Sequence, residues 1–221
     1  MIMKFITSFA QRLAWLATIA AMKIFCNFYR EGMEKLRGIS GPLLIVSNHR
    51  SYWDSFIIGT LFPFSSKLFP LSFIAAEMFF KNPFSRLIMK VLGASPAIRG
   101  KGLDISLKDL RAALADNRAA VIFPYGKRIY DDSERPGIGR GAAALVSEFK
   151  NLTILPVYLK TTPGLSLFKF LFGKKEMGAI AGNPYTINLE HKTHEEISAI
   201  LVQSFLALGH AETAKQSAVL N

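Results

Sequence analysis

Short apolar runs alternate with longer segments whose apolar residues recur every three or four positions, from Leu43 to near the end of the chain. That switching between runs too short for a helix and a 3.6-residue period marks strands and helices taking turns. Strands are predicted at residues 43–46, 72–76, 94–98, 119–123 and 152–159. Helices are predicted at 53–61, stopped by Pro63, and at 83–92, with Asn82 as cap, Pro83 in the first turn and Gly93 as the stop. A helix over 105–115 puts Leu107, Leu110 and Leu114 on one face. A small-residue helix is predicted at 139–149. Thr193 and Glu196 form a capping box for a last helix running to about residue 208. Residues 124–138 read as a polar loop, and 177–181 and 185–189 are predicted to pair at the sheet edge. The sum is an α/β fold with a largely parallel central sheet flanked by helices.

The first 28 residues follow another pattern. They are apolar and aromatic, broken by Lys4, Arg12 and Lys23, and the longest uncharged stretch there, 13–22, has ten residues. A spanning helix needs about 20 apolar residues. The expectation is a helix lying in a membrane interface, with Lys and Arg reaching for headgroups and Phe5, Phe9, Trp15, Leu16 and Ile19 among the acyl chains. A signal peptide and a helix packed on the protein's own core are the competing readings. The chain divides into an amphipathic membrane-associating segment (1–36), one α/β domain (37–208) and a polar tail (209–221). Within the domain, residues 165–175 interleave aromatics with lysines. They read either as a loop dipping into a bilayer or as a short buried segment with a basic end.

Composition sharpens the membrane reading. Half the residues are apolar and 18 are Phe. The net charge of +11 favours anionic partners: phospholipid headgroups, acidic carriers or nucleic acid. No nucleic-acid-binding pattern accompanies the charge, and the aromatics cluster with aliphatics, so no nucleic-acid partner is expected. Cys26 is the one cysteine, which excludes an intramolecular disulfide and fits a reducing cytosolic side. Between Phe25 and Phe28 it reads as a small buried hydrophobe, not a nucleophile. His191 and His194 have no third ligand nearby in sequence, so no metal site is predicted.

The chemistry concentrates in Ser47-Asn48-His49-Arg50-Ser51-Tyr52-Trp53-Asp54, at the end of the first predicted strand. Histidine is suited to take a proton near neutral pH. An aspartate on its other ring nitrogen fixes the tautomer and stabilises the imidazolium. Alone, the pair reads equally as a surface histidine and a helix-capping aspartate. Three downstream blocks add weight: Ile98-Arg99, then Phe123-Pro124-Tyr125-Gly126-Lys127-Arg128, then Leu155-Pro156-Val157.

In that order, from about residue 43 to 159, the four blocks resemble those of the glycerolipid acyltransferases, the 1-acylglycerol-3-phosphate acyltransferases in particular. The resemblance implies acyl transfer from a thioester to a lysophospholipid hydroxyl by the 37–208 domain, on the cytoplasmic face of a membrane. It implies His49 as general base, Asp54 as its orienter, and Arg99, Tyr125, Gly126, Lys127 and Arg128 around the acceptor. Acyl-CoA or acyl-carrier protein would be the donor substrate, with no resident cofactor, and lysophosphatidate the default acceptor. The third block departs from the family pattern, which has Glu at the place of Tyr125 and Thr at that of Lys127. The change makes the loop more positive by two charges. Two alternatives follow from it: another lysolipid or an amino-lipid as acceptor, or a non-catalytic lipid-binding protein on the same scaffold.

Overall fold

Leu43 and Ile45 point to one side of the sheet, Leu44 and Val46 to the other, and all four are fully buried. A strand covered on both faces needs the unbroken apolar run that this segment has. The computed structural model describes residues 2–98, 100, 102–130, 134, 137–162, 170 and 175–219, except the side chains of 216, 217 and 219. Its sheet has seven strands: β1 (Cys26–Glu31), β2 (Leu43–Ser47), β3 (Ser72–Ala76), β4 (Ala94–Ala97), β5 (Ala119–Ile122), β6 (Thr153–Lys160) and β7 (Lys175–Ala181). They lie in the order β1-β7-β6-β2-β5-β3-β4. Every pairing is parallel except β6 with β7. The largely parallel sheet expected from the sequence is therefore present, with β2 at its centre.

Helices cover both faces. One layer holds α1 (Ile2–Phe25) and α2 (Asp54–Thr60), with Met22, Ile57 and Ile58 packed on Leu43, Ile45, Val121 and Leu155. The other holds α4 (Gly102–Ala115), α5 (Gly141–Glu148) and α6 (His194–Val219). There Leu107, Leu110, Leu114 and Leu145, with Leu201 and Phe205 of α6, close over Leu44 and Val46. Arg111 holds α4 to α5 through Glu148, at 2.6 Å to each carboxylate oxygen. The capping box at α6 forms as read: Glu196 N–H donates to Thr193 Oγ1 at 3.2 Å, and Thr193 N–H to Glu196 Oε2 at 2.7 Å. Helix α3 (Pro83–Val91) begins where Asn82 Oδ1 accepts from Phe84 N–H at 2.8 Å. It ends at Gly93, whose φ of +81° and lack of room for a Cβ beside Leu71 O require glycine.

The structure corrects several expectations. Residues 26–31, grouped by pattern with the N-terminal segment, form the edge strand β1, paired to β7 from Cys26↔Lys175 to Glu31↔Ile180. The 177–181 strand is thus not the sheet edge and does not pair with 185–189. Tyr185 instead bridges Ile154. The last helix does not fray at 209 but runs to Val219, with Glu212 buried.

Helix α1 is also oriented differently from the snorkelling picture. Gln11 is buried, its Nε2 donating to Leu71 O at 2.7 Å and Leu92 O at 2.8 Å, its Oε1 accepting from Leu71 N–H at 2.7 Å. Arg12 donates to Phe64 O at 2.9 Å and Ser66 O at 3.0 Å, and Trp15 Nε1–H to Phe62 O at 3.0 Å. The polar groups and Trp15 hold the helix on the domain, because each finds a carbonyl there that hydrocarbon would not offer. Phe5, Phe9 and Leu16 are left exposed, as expected of side chains meeting lipid. By length and composition α1 and α6 could each cross a membrane, but α6 buries a larger share of itself than α1 does. Of the 165–175 stretch, residues 170 and 175 are described. Phe170 is buried, stacked on Trp53 at 4.9 Å and tilted against Phe25 at 5.5 Å.

Candidate active site

The parallel strands β2, β5 and β6 end side by side, and each delivers part of one site. In α/β sheets ligands bind at the carboxyl ends of such strands. From β2 the chain runs through Asn48 and His49 into α2, whose first residue is Asp54. His49 Nδ1 lies 2.7 Å from Asp54 Oδ2. A carboxylate only accepts, so Nδ1 carries the proton and Nε2 presents its lone pair outward. His49 is about a quarter exposed and Asp54 not at all.

A fully buried carboxylate must be satisfied by donors. Asp54 Oδ2 also accepts from Arg50 N–H at 2.6 Å and Ser51 N–H at 2.9 Å. Its Oδ1 accepts from Ser51 Oγ at 2.5 Å and Thr161 Oγ1 at 3.1 Å. The aspartate is therefore fixed from two segments, the turn 50–51 and the end of β6. Asn48 adds a clamp: its Nδ2 donates to Leu159 O at 2.9 Å and its Oδ1 accepts from Leu159 N–H at 2.7 Å. That side chain continues the β2–β6 ladder by one rung and sets the start of the loop. The ring of His49 stacks on Phe123 at 4.2 Å, and Ile129 N–H donates to His49 O at 2.7 Å. The third block is thereby bound to the first.

In that third block Gly126, at φ +62°, closes a tight turn, its N–H donating to Phe123 O at 2.9 Å. Phe123 packs toward the α1–α2 layer and Tyr125 toward the α4–α6 layer, edge-to-face with Phe205 at 6.2 Å. The ring in the place of the family's glutamate is part of the packing above α6. Lys127 lies 3.4 Å from Glu134, so that carboxylate offsets one of the two added charges. Arg128 has its guanidinium 3.9 Å from the ring centre of Tyr52 and 5.3 Å from that of Tyr130. Stacking of this kind aims a guanidinium fork without using its N–H donors. Arg99 lies outside the described residues. Arg140 stands at the N-cap of α5 and is exposed.

An apolar pocket opens between α1, α2 and the sheet. Ser55 and Phe56 of α2, directly after Asp54, line it together with Trp15, Phe69, Phe73 and Val121. Among the described residues no group of His, Cys, Asp and Glu is arranged to hold a metal ion. Cys26 is buried beside Met177, and burial pushes its thiol up, away from nucleophilic use.

The sequence alone does not single out Thr161, Asn48 or Ser51. For Asn48 and Ser51 the signal was their position inside the first block. For Thr161 there was none, since only the strand register brings it to Asp54.

The model of the acyltransferase family matches residues 27–160, more than half the chain. The chain belongs to the acyltransferase family. The matched region holds His49, Asp54 and the third block. No curated protein matches by sequence. Among solved structures the fold of this acyltransferase is similar to that of the 1-acyl-sn-glycerophosphate (LPA) acyltransferase PlsC from Thermotoga maritima, with a TM-score of 0.66. The two share 17% identity over 96% of this chain and 80% of that one. The likeness extends the shared fold well beyond the family-matched residues.

Proposed function

We propose that this acyltransferase moves a fatty acyl chain from acyl-CoA or acyl-carrier protein to the free hydroxyl of a lysophospholipid, lysophosphatidate by default, at the cytoplasmic face of a membrane. The observation that carries the reading is the His49 Nδ1–Asp54 contact of 2.7 Å on a fully buried, five-times-bonded carboxylate. A histidine so held has one task open to it, proton transfer at Nε2. The acceptor hydroxyl attacks the thioester carbonyl and gives its proton to Nε2 as the C–O bond forms. The C–S bond then breaks, and the imidazolium returns the proton to the leaving thiolate. No acyl-enzyme is required. Arg128, aimed by Tyr52 and Tyr130, suits an acceptor phosphate, and the apolar pocket beside α2 suits an acyl chain.

The altered third block favours a second acceptor reading. Tyr125 packs edge-to-face on Phe205 and Lys127 pairs with Glu134, so the family's carboxylate is replaced by a phenol and its Thr hydroxyl by an ammonium. Another lysolipid or an amino-lipid is then the acceptor. A non-catalytic lipid-binding role has less support, since lipid binding does not need a tautomer-fixed histidine. The test is acyl transfer from a long-chain acyl-CoA, and from acyl-carrier protein, to a panel of lysolipids in vesicles, beside His49→Ala. Activity on lysophosphatidate that vanishes in the variant supports the first reading. Activity on another acceptor alone supports the second. No transfer from either donor sinks both.

A further inference from the structure

Helix α3 buries none of its nine residues. Phe84, Leu87 and Ile88 stand three and four apart, on one helical face, and are 74%, 59% and 39% exposed. Met78, in the turn before it, is 62% exposed. A surface helix of a globular protein turns its apolar face to the core, and α3 turns it to solvent. The helix is nevertheless firmly tied. Ser85 Oγ donates to Phe79 O at 2.7 Å and Arg86 Nε to Phe80 O at 2.8 Å. α3 also packs against α1, and Gln11 of α1 donates to Leu92 O at the α3 C-terminus.

We infer that the outward face of α3 is a membrane-docking surface whose occupant is an anionic phospholipid bilayer. Charge complementarity supports that occupant. Lys81, Arg86 and Lys90 are exposed around the face, and Glu77 is the only acidic residue in 77–91. Each such cation near an anionic surface adds attraction, whereas a second copy would bring like charges together. α3 packs on α1, which itself leaves Phe5, Phe9 and Leu16 exposed. At nine residues the helix is about 14 Å long, too short to span a bilayer and suited to lying in its interface. The surface is joined to the catalytic mouth. Phe79 meets Tyr52 edge-to-face at 5.6 Å, and Tyr52 in turn carries Arg128. Docking through α3 sets that mouth at the lipid surface.

The test uses the full chain as Phe84→Cys carrying an environment-sensitive NBD label; the native Cys26 is buried. Phosphatidylcholine–phosphatidylglycerol vesicles should shift the emission to the blue, phosphatidylcholine alone much less. A label at Lys108→Cys, on α4, should not respond. Phe84→Ser with Leu87→Ser should weaken vesicle binding about 30-fold, as expected for losing half the burial of two large apolar side chains. It should leave the Tm and turnover of a soluble short-chain acceptor unchanged. No response at position 84, or wild-type binding by the double variant, overturns the inference. So does a blue shift without vesicles that disappears on dilution, which would make the occupant a second copy. The binding readouts stand whether or not the acyl-transfer reading survives.

Discussion

Replacing His49 by Ala separates chemistry from folding in this molecule. The loss of a general base is worth about 10²–10⁴ in rate, or about 3–5 kcal/mol of barrier. The structural loss is smaller. The ring gives up one stacked contact with Phe123, worth about 0.5–1.5 kcal/mol, and its hydrogen bond to Asp54, worth about as much again. Asp54 keeps four donors, from Arg50 N–H, Ser51 N–H, Ser51 Oγ and Thr161 Oγ1, so its carboxylate stays satisfied. In a chain of this length each kcal/mol moves the Tm by about 2–4 °C, so the variant, about 1–3 kcal/mol less stable, should melt about 2–12 °C lower. Asp54→Asn behaves differently. An amide turns its NH2 toward N–H and O–H donors and makes charge-assisted bonds neutral, at about 2–4 kcal/mol. It should lose both activity and a larger part of its Tm. The assay pairs initial rates of product formation on vesicles, read by mass spectrometry, with melting followed by circular dichroism. His49→Ala retaining more than about a tenth of the wild-type rate would refute the base assignment. Asp54→Asn melting no lower than His49→Ala would refute the account of the buried network.

Three further outcomes are expected. Gln11→Ala strands Leu71 N–H, Leu71 O and Leu92 O under α1, and chemical denaturation should show about 2–3 kcal/mol less stability; an unchanged midpoint would mean that α1 is not anchored by this residue. Arg128→Lys loses the stack on Tyr52 and the planar fork, so KM for a phosphate-bearing acceptor should rise about 3–30-fold with kcat less affected, and an unchanged KM would remove Arg128 from acceptor binding. The side-chain hydrogen bonds from Arg111 hold the Glu148 carboxyl below its usual value. A depressed folded pKa gives stability that is present above the unfolded value of about 4.3 and lost as pH falls through the folded one. The Tm gap between wild type and Glu148→Gln should therefore be small but present at pH 6 and close on acidification, and a gap that persists in acid contradicts the linkage.

Where burial is two-sided, the sequence was easy to read. β2 and β5 are recognisable within a residue because covered strands are apolar without interruption. The polar signals at helix ends were as clear: Asn82 caps α3, and Thr193 and Glu196 cap α6. β1 was missed because Asn27, Arg30 and Glu31 make it look like a polar exit from a helix, and an edge strand with one neighbour tolerates that. The pair His49 and Asp54 was legible because the four residues between them form a turn that brings them together locally. The rest of the site was not. Thr161 reaches Asp54 only through the β2–β6 register, and Arg12 and Trp15 face the domain because carbonyls of 62, 64 and 66 lie there. Tyr125 shows the limit of reading by motif. Its place in the third block points to the acceptor, while its ring belongs to the layer above α6.

The pairing of β1 with β7 has a consequence for synthesis. Cys26 meets Lys175, almost 150 residues later in the chain. At the ribosome's pace of about 5–20 residues per second, the first strand made waits about 7–30 s for β7. During that interval α1 is complete and its carbonyl partners at 62, 64 and 66 follow within seconds, but the sheet edge it leads into is open. A nascent chain in that state is drawn to any apolar surface at hand. The exposed apolar side chains Phe5, Phe9 and Leu16 of α1 are on offer for the whole of that interval, before the fold is finished.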